Sequence, residues 1–407
     1  MASVLCIAPT VELVSDTNAL EALCRRLASD RFVTVDTEFI RDRTYWPRLC
    51  LVQVAGADEA AAIDTLAPGM DPAPLGALLA DRAMLKVFHS ARQDIEIFYH
   101  LFGAVPAPVF DTQVAAMVCG FGDQVGYDTL VSKLAGVDIG KGSRFTDWSL
   151  RPLTPTQISY ALADVTYMRT VYEQLRRRLE RNGRASWVDE EMAILTDPAT
   201  YRLDPETAWR RLKPRSGRPR QLAMLRTLAA WREREAQRRD VPRGRILQDE
   251  TLREIVASRP RTAEELARVR GLPRAVAEGA AGREILGALE VALALPEDQC
   301  PPALERSRPP PGTEPMVELL RVLLKLNCEA HGVASRLVAN AEDLERIAAD
   351  DDAAVPALHG WRRRVFGDDA LAIKRGTVGL AIVGRKLCVV PLEPGANASA
   401  TRRTSPA

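Results

Sequence analysis

Two carboxylic acids one residue apart are the first side chains in this sequence that could do chemistry together. Around Asp36 and Glu38, apolar residues alternate with polar ones from Val33 to Phe39, and this alternation is typical of a half-buried strand. Both acids then project from one face of the strand, with Cα atoms about 6.6 Å apart. Two carboxylates this close repel each other unless a cation, a shared proton or full solvation offsets the repulsion. The pair therefore indicates either a divalent metal site or two solvated acids on an exposed edge strand.

Two further acids and a tyrosine occupy positions from which they could join this pair. Asp94 lies in the first turn of a helix predicted after the buried strand Met84–His89, although a carboxylate there also interacts favourably with the helix dipole. Tyr160 and Asp164 are four residues apart in a helix predicted over Pro155–Arg181, so they project from the same helix face. The phenolic hydroxyl can then lie beside whatever the carboxylate binds.

The four carboxylates Asp36, Glu38, Asp94 and Asp164 form an oxygen-only set of candidate metal ligands. Oxygen ligands are typical of sites for Mg²⁺ or Mn²⁺, whereas zinc more often recruits His or Cys. A pair of such ions about 3.5–4 Å apart can lower the pKa of an attacking water and stabilise a leaving oxygen. The sequence therefore predicts two divalent metal ions in one active site.

The elements that would position these residues belong to an α/β layer fold. A strand and a helix with Ser15 as its N-cap precede the acidic strand, and residues 49–55 and 60–64 are predicted as antiparallel partners of that strand. Mixed strand and helix steps follow as far as the helix that carries Tyr160 and Asp164. This order indicates a mixed sheet with flanking helices. From about residue 205 the apolar spacing becomes helical.

The predicted domains follow this change in pattern. We expect an α/β domain over residues 1–204, an all-α domain over 205–295, a second all-α domain over 313–392 and a disordered tail over 393–407. Residues 296–312 are Pro-rich and cannot continue a helix, so they are predicted to form a linker. A chain of 407 residues is long enough for several domains of this size.

Composition argues against a membrane protein, and the charge distribution suggests a polyanionic partner. The chain is 46% hydrophobic and 27% charged, without an apolar run near the ~20 residues that span a bilayer. It lacks the features of a signal peptide, and its seven cysteines contain no CxxC pair, which predicts a reduced cytoplasmic protein. Residues 1–200 carry 26 acidic and 19 basic side chains, whereas residues 201–245 carry 5 acidic and 14 basic ones. This basic block is either a polyanion-binding surface or a solvated helix face.

Three stretches that contain the candidate residues resemble the motifs of a known nuclease family. The chain resembles the three exonuclease motifs of the ribonuclease D family at VTVDTEFIRDRTYWPRLCLVQVA (33–55), KVFHSARQDIEIF (86–98) and RFTDWSLRPLTPTQISYALADVTYM (144–168). That family lies in the tyrosine-bearing branch of the DEDD exonuclease superfamily. The basic helical region from about 211 to 295 is similar to the helicase-and-RNase-D C-terminal (HRDC) domain, and residues 313–392 resemble a second such domain.

The resemblance implies a fold, an activity and a role for each candidate residue. It implies a ribonuclease-H-like exonuclease domain followed by two all-α HRDC-type domains. The implied activity is metal-dependent 3′→5′ hydrolysis of RNA to nucleoside 5′-monophosphates, in 3′ maturation of tRNA precursors and trimming of small structured RNAs. Asp36, Glu38 and Asp164 would hold the metal on the side of the nucleophile. Asp36 would bridge to the second metal, Asp94 would complete that second site, and Tyr160 would orient the attacking water.

Seven further residues near the motifs or in the basic block are candidates for contacting RNA. They are Arg43, Gln53, His89, Gln113, Arg215, Arg218 and Arg220. For those near the motifs, a supporting or packing role is equally compatible with the sequence, and the second helical block is either an RNA holder or a structural brace.

Two rival functions remain for this sequence. One is a DNA 3′→5′ exonuclease, which the two RNA-associated helical domains disfavour. The other is a catalytically silent RNA-binding scaffold, which the presence of all five catalytic positions disfavours. We expect a cytoplasmic monomer with RNA as its partner and no membrane association.

Overall fold

A computed structural model of the chain describes residues 10–140, 146–214, 217–303 and 313–392. The strands are β1 Thr10–Val14, β2 Phe32–Ile40, β3 Arg48–Ala55, β4 Glu59–Asp64, β5 Leu85–Phe88, β6 Val109–Asp111, β7 Val378–Val383 and β8 Lys386–Pro391. The α-helices are α1 Thr17–Leu27, α2 Ala73–Ala80, α3 Arg92–Phe102, α4 Thr112–Val118, α5 Tyr127–Ala135, α6 Pro155–Asn182, α7 Ala185–Leu195, α8 Pro219–Arg239, α9 Arg243–Ile246, α10 Asp249–Ser258, α11 Ala263–Leu266, α12 Arg274–Glu278, α13 Ala280–Ala294, α14 Thr313–His331, α15 Ser335–Val338, α16 Ala341–Ala349, α17 Gly360–Arg362 and α18 Asp368–Lys374. Short 3₁₀-helices span Pro198–Thr200, Pro205–Leu212, Glu297–Gln299 and Pro356–Leu358, and a π-helical turn spans Arg363–Gly367.

Strands β1 to β6 form one mixed sheet in the order β1-β4-β3-β2-β5-β6. The acidic strand β2 is central, antiparallel to β3 and parallel to β5. The predicted antiparallel partnership with β2 is confirmed for residues 49–55. It is wrong for residues 60–64, because β3 lies between β2 and β4, and β4 pairs antiparallel with β3 instead. The register places Asp36 opposite Gln53 and Glu38 opposite Leu51, and it shifts between Glu38 and Phe39. Such irregularities are common beside active sites, where they redirect a side chain.

Helices cover both faces of this sheet. On one face the long helix α6 packs through Ala161 and Val165 against Leu51 and Ala55 of β3. The opposite face carries the alternate residues of each strand, such as Val35 of β2, and packs against α1, α2, α3 and α4. The sheet is therefore buried on both sides at its centre, and α6 lies over the face from which Asp36 projects.

The helix termini show where the sequence was sufficient and where it was not. The Thr154 hydroxyl caps α6 by accepting from the backbone N–H of Gln157, and Pro155 lies in the first turn, as predicted. The prediction that Ser15 caps α1 is wrong, because the Asp16 carboxylate accepts from Ala19 N at 2.9 Å instead. Serine and aspartate are nearly equivalent N-caps, so adjacent candidates are not separated by preference alone.

The remainder of the chain forms two helical blocks with their own cores. The first block, α8 to α13, buries residues such as Leu228, Ile255 and Leu266. The second block, α14 to α18 with the β7–β8 hairpin, buries Trp361 and Phe366. The two strands of this hairpin pair antiparallel. The predicted tail over 393–407 and most of the predicted linker, 304–312, lie outside the described residues.

Each helical block also contacts the α/β domain. In the first block, Asp240 Oδ1 accepts from Tyr45 N and Trp46 N at 3.1 and 3.0 Å, and Glu233 accepts a hydrogen bond from the Tyr45 hydroxyl. In the second block, Trp361 stacks on Trp187 of α7 with ring centroids 4.3 Å apart. Every helix in the described ranges is too short or too polar to traverse a bilayer.

Candidate active site

Three of the four predicted acids converge beside β2. Asp36 and Glu38 of β2 and Asp164 of α6 each present a carboxylate oxygen, and these oxygens lie within 4.8 Å of one another. All three residues are half-buried. The Thr34 hydroxyl donates to Val165 O at 2.8 Å, which fixes α6 beside β2 one residue from Asp164. The packing of α6 thus brings an acid 126 positions later in the chain to the acidic strand.

The fourth acid, Asp94, is buried and lies outside this group of three. Its carboxylate accepts a hydrogen bond from the hydroxyl of Thr37, the residue between the two acids of β2. The start of α3, which carries Asp94, is fixed by Asp111, whose carboxylate accepts from Ser90 N at 3.0 Å and Ala91 N at 2.9 Å. Asp94 therefore reaches β2 through Thr37, a contact that the sequence analysis did not anticipate.

Burial and mutual repulsion disfavour ionisation of these acids in the metal-free protein. Burial raises the pKa of Asp36 to about 7. Burial, followed by the charges of Asp36, Asp164 and Asp94, raises the pKa of Glu38 to about 9. Burial and then the charge of Asp36 raise the pKa of Asp94 well above its usual value. A divalent cation among these oxygens would favour their ionised forms, so the residues fit a metal such as Mg²⁺ or Mn²⁺.

A cavity of about 460 Å³ opens beside the acids. Its lining includes Asp36, Tyr160 and Asp164. Tyr160 is half-buried, and its ring centroid lies 6.3 Å from that of Trp148. The structure therefore brings the predicted tyrosine to the same cavity as two of the predicted acids, as its spacing from Asp164 indicated.

The cavity has a second group of lining residues that the sequence did not predict. This group contains Gln124, Gly126, Tyr127 and Asp128, from the α4–α5 loop and the first turn of α5. The Tyr127 hydroxyl donates to Ala163 O at 3.0 Å. Burial, and then the charges of the nearby acids, raise the pKa of Tyr127 well above its usual value, so its phenol stays neutral. The only signal in the sequence is the glycine-rich FGDQVG segment at 121–126, typical of a loop.

Two candidate RNA contacts, His89 and Gln113, also line the cavity. The His89 Nδ1 lies 2.9 Å from the Thr112 hydroxyl, which itself donates to Phe88 O at 3.0 Å. Burial lowers the pKa of His89, which favours the neutral imidazole. The Gln113 amide donates to Val125 O at 3.2 Å. Both side chains support the cavity wall, and their contact with RNA stays a prediction.

The remaining candidate RNA contacts lie in different environments. Arg43 is highly exposed, with 78% of its side chain accessible, and Arg218 is exposed at the start of α8. Arg220 instead donates to Ala292 O and Leu293 O at the end of α13, which ties two helices together.

Gln53 is 0% exposed, so it cannot touch RNA directly in this conformation and only its alternative, supporting role is left. Arg215 lies outside the described residues.

Comparisons with protein families agree with this architecture. A family model described as 3′-5′ exonuclease matches residues 11–180, and a model of the HRDC domain matches residues 221–289. The predicted exonuclease fold with a following HRDC domain is thus confirmed. The HRDC match falls within the first helical block, and the assignment of the second block as another HRDC domain stays a prediction.

Individual relatives cover nearly the whole chain. Ribonuclease D of Gluconacetobacter diazotrophicus is 54% identical over 383 residues, which are 94% of this chain and 98% of that protein. Ribonuclease D of Acidiphilium cryptum is 56% identical over 387 residues, again 94% of this chain and 98% of that protein. The crystal structure of Escherichia coli RNase D, described as an exoribonuclease involved in structured RNA processing, superposes with a TM-score of 0.78 at 28% identity. That match covers 90% of this chain and 99% of the other.

Proposed function

The chain belongs to the ribonuclease D family of 3′-5′ exoribonucleases, and we propose that it hydrolyses RNA one nucleotide at a time with two divalent metal ions held by its acidic cluster. Membership of the family makes the protein a hydrolytic exoribonuclease. The observation that carries the metal proposal is the convergence of Asp36, Glu38 and Asp164 oxygens within 4.8 Å. Uncompensated carboxylates at this spacing are unfavourable, and divalent cations offset the repulsion.

The proposal gives each acid a role in holding metal. Asp36, Glu38 and Asp164 would hold the ion on the side of the nucleophile, and Asp94 would complete a second site shared with Asp36. Two metals at such a site lower the pKa of an attacking water and stabilise the leaving oxygen, and Mg²⁺ or Mn²⁺ matches the oxygen-only ligands. The Thr37 hydroxyl, which donates to Asp94, would keep that carboxylate oriented toward β2.

Tyr160 would position the water for attack on the terminal phosphodiester. It lies one helical turn from Asp164 and lines the same cavity. A phenol hydroxyl can accept from the water and hold it in line with the phosphorus, which lowers the entropic part of the barrier. The neutral side chains of Tyr127 and His89, which line the same cavity, would enclose the terminal nucleotide without adding charge.

The proposed substrates are tRNA precursors and other small structured RNAs with accessible 3′ ends. Support comes from the E. coli relative, which is described as acting in structured RNA processing. The first helical block would add affinity through backbone phosphates, with exposed Arg218 as one contact and Arg43 of the exonuclease domain as another. We expect the enzyme to act as a cytoplasmic monomer and the second helical block to be a second HRDC-type domain.

A direct test uses tRNA precursors labelled at either end, incubated with Mg²⁺, Mn²⁺ or a chelator. We expect the 3′ label to appear at once as a mononucleotide, the 5′-labelled chain to shorten gradually, and the chelator to stop both. Equal degradation of DNA of the same sequence would support the DNA exonuclease instead. Binding without cleavage under all metal conditions would support the silent scaffold.

A further inference from the structure

Gln53 is a buried polar residue whose side-chain amide has no hydrogen-bond partner within the described ranges. The residue is 0% exposed, and both its Nε2 and its Oε1 are unsatisfied. Buried amides in folded proteins are nearly always satisfied, because leaving one unpaired forfeits its hydrogen bonds to water. A second buried glutamine, Gln157, follows the rule: its Oε1 accepts from the Thr154 backbone and hydroxyl, both at 2.9 Å. The environment of Gln53 therefore needs an explanation.

The neighbours of Gln53 place it against the acidic cluster. It is the cross-strand partner of Asp36, and residues directly opposite in an antiparallel pair share a face with Cβ atoms about 4.5–5.5 Å apart. On its own strand it lies between Leu51 and Ala55, which pack against the apolar stripe of α6. The amide is thus enclosed by β3 and α6, with Asp36 of the acidic cluster as its cross-strand neighbour.

We propose that Gln53 is a positioning residue for the metal site, and that its amide N–H donates to the Asp36 carboxylate once a divalent ion is bound. The inference rests on the proposed function, in which Asp36 is a metal ligand. Carboxylates that ligate metals are themselves hydrogen-bonded by neighbouring donors, which orient them. An amide supplies a donor without adding charge to the cluster, and its oxygen can accept from a water in the site. The unsatisfied amide is then a destabilising feature of the metal-free protein that metal binding offsets.

Two shape-conserving substitutions separate this role from simple packing. Gln53→Met keeps the length of an unbranched side chain and removes the amide. Gln157→Met makes the same change at the buried glutamine whose amide is satisfied. Each full-length variant would be compared with the wild type by thermal unfolding in chelator and by calorimetric titration with Mn²⁺.

The two variants should behave oppositely. Without metal, Gln53→Met should unfold at the wild-type temperature or above it, because an unsatisfied amide is removed. Its Mn²⁺ affinity should fall about tenfold or more, the scale for loss of a group that orients a ligand. Gln157→Met should unfold at a lower temperature, because its capping box is lost, and should bind Mn²⁺ with unchanged affinity.

Other outcomes would overturn the inference in distinguishable ways. Unchanged Mn²⁺ affinity in Gln53→Met would remove Gln53 from the metal site while leaving the proposed function intact. A Gln53→Met protein that is less stable without metal, or fails to fold, would show that the amide has a structural partner. A wild-type protein that does not bind Mn²⁺ would overturn the metal site itself and, with it, the role of Gln53.

Discussion

A substitution at Tyr160 can distinguish a catalytic role of its hydroxyl from a purely structural one. Tyr160→Phe removes one oxygen and keeps the ring, so its contact with Trp148 should survive. If the hydroxyl holds the attacking water, the catalytic rate should fall roughly ten- to thousandfold, about 1.4–4 kcal/mol. RNA affinity and metal binding should stay at wild-type levels, because the interaction matters mainly in the transition state. Single-turnover kinetics measures the chemical step, and an undiminished step with a lower melting temperature would assign the hydroxyl a structural role.

Replacing an acid of the cluster should weaken metal binding without lowering the stability of the metal-free protein. Asp36→Asn replaces a buried ionisable carboxyl with a neutral amide in a group of three acids whose oxygens lie within 4.8 Å, so the metal-free variant should unfold at the same temperature as the wild type or above it. Each kcal/mol of relieved repulsion corresponds to about 2–4 °C for domains of roughly 150–250 residues.

In saturating Mn²⁺ the wild type should unfold at a higher temperature than Asp36→Asn. Ligand binding stabilises the folded state by about 2.7 kcal/mol at 100 times Kd, and the variant binds the metal more weakly. Thermal unfolding with and without metal measures both effects. The two-metal proposal would be contradicted if Mn²⁺ did not change the melting temperature of the wild type. It would also be contradicted if Asp36→Asn hydrolysed RNA at the wild-type rate.

One loop that lines the active-site cavity is held in place by the second helical block. The α4–α5 loop, residues 119–126, forms one wall of the cavity through Gln124 and Gly126. The second helical block contacts this segment directly: Arg336 N donates to Asp123 Oδ1 at 3.1 Å, and its guanidinium donates to Gln124 Oε1 at 2.7 Å. The wall is thus held by a block that lies about 200 residues further along the chain.

Gly120 tests this anchor. Its φ is +78°, and a Cβ there would lie 2.6 Å from the carbonyl oxygen of Gly332 in the second block. Gly103 is a matched control, with a φ of +70° and open space around the corresponding Cβ position. Gly103→Ala should destabilise the protein by about 1–2 kcal/mol from backbone strain alone.

Gly120→Ala should carry the same strain plus roughly 1–3 kcal/mol from the clash, and it should raise the KM for RNA because the cavity wall shifts. Chemical unfolding and steady-state kinetics of the two variants provide the comparison. Equal stability losses in both variants, with unchanged KM, would show that the contact between Gly120 and Gly332 is dispensable.

Local patterns predicted the elements that carry the acids, because strand alternation and helical spacing are local signals. The predicted limits of β2 and α6 lie within one residue of the observed limits, and α3 follows the buried strand β5 as predicted. The contacts that join distant segments could not be predicted in this way. Thr37 reaches Asp94 and Gln53 faces Asp36 only through strand pairing and packing. The environment of Lys86 was likewise not predictable from local patterns. Its side chain is buried, and its ammonium donates to the carbonyls of Met84 and Ala107 at 2.8 and 2.7 Å.

Two loops near the active site are each held by one of the two helical blocks. The second helical block fixes the α4–α5 loop, while the first block fixes the β2–β3 loop, which begins three residues after Glu38. In the first block, Asp240 accepts from the backbone of Tyr45 and Trp46. Glu233, only 1% exposed, accepts from the Tyr45 hydroxyl and from Arg243 Nη2 at 2.7 Å. The helical blocks therefore support the active site in addition to any RNA contacts.

The Glu233 contact predicts how the docking of the first block depends on pH. Burial raises the pKa of Glu233, but hydrogen bonds from Arg243 and Tyr45 outweigh burial and hold that pKa below its usual value. A carboxyl whose pKa is lower in the folded than in the unfolded state stabilises the fold above the unfolded pKa, about 4.3 for glutamate. This stabilisation is lost as the pH falls from about 4.3 through the folded pKa.

Glu233→Gln should therefore be less stable than the wild type near pH 7, because Arg243 loses its charged partner, and the difference should shrink between about pH 5 and pH 3. Glu206→Gln is the control, since Glu206 pairs with Arg234 at the surface with both side chains more than half exposed and such pairs contribute little. Calorimetric unfolding of the three proteins across this pH range isolates the Glu233 contribution. A Glu233→Gln deficit that stays constant down to pH 3 would mean that the carboxylate does not hold the first block through its charge.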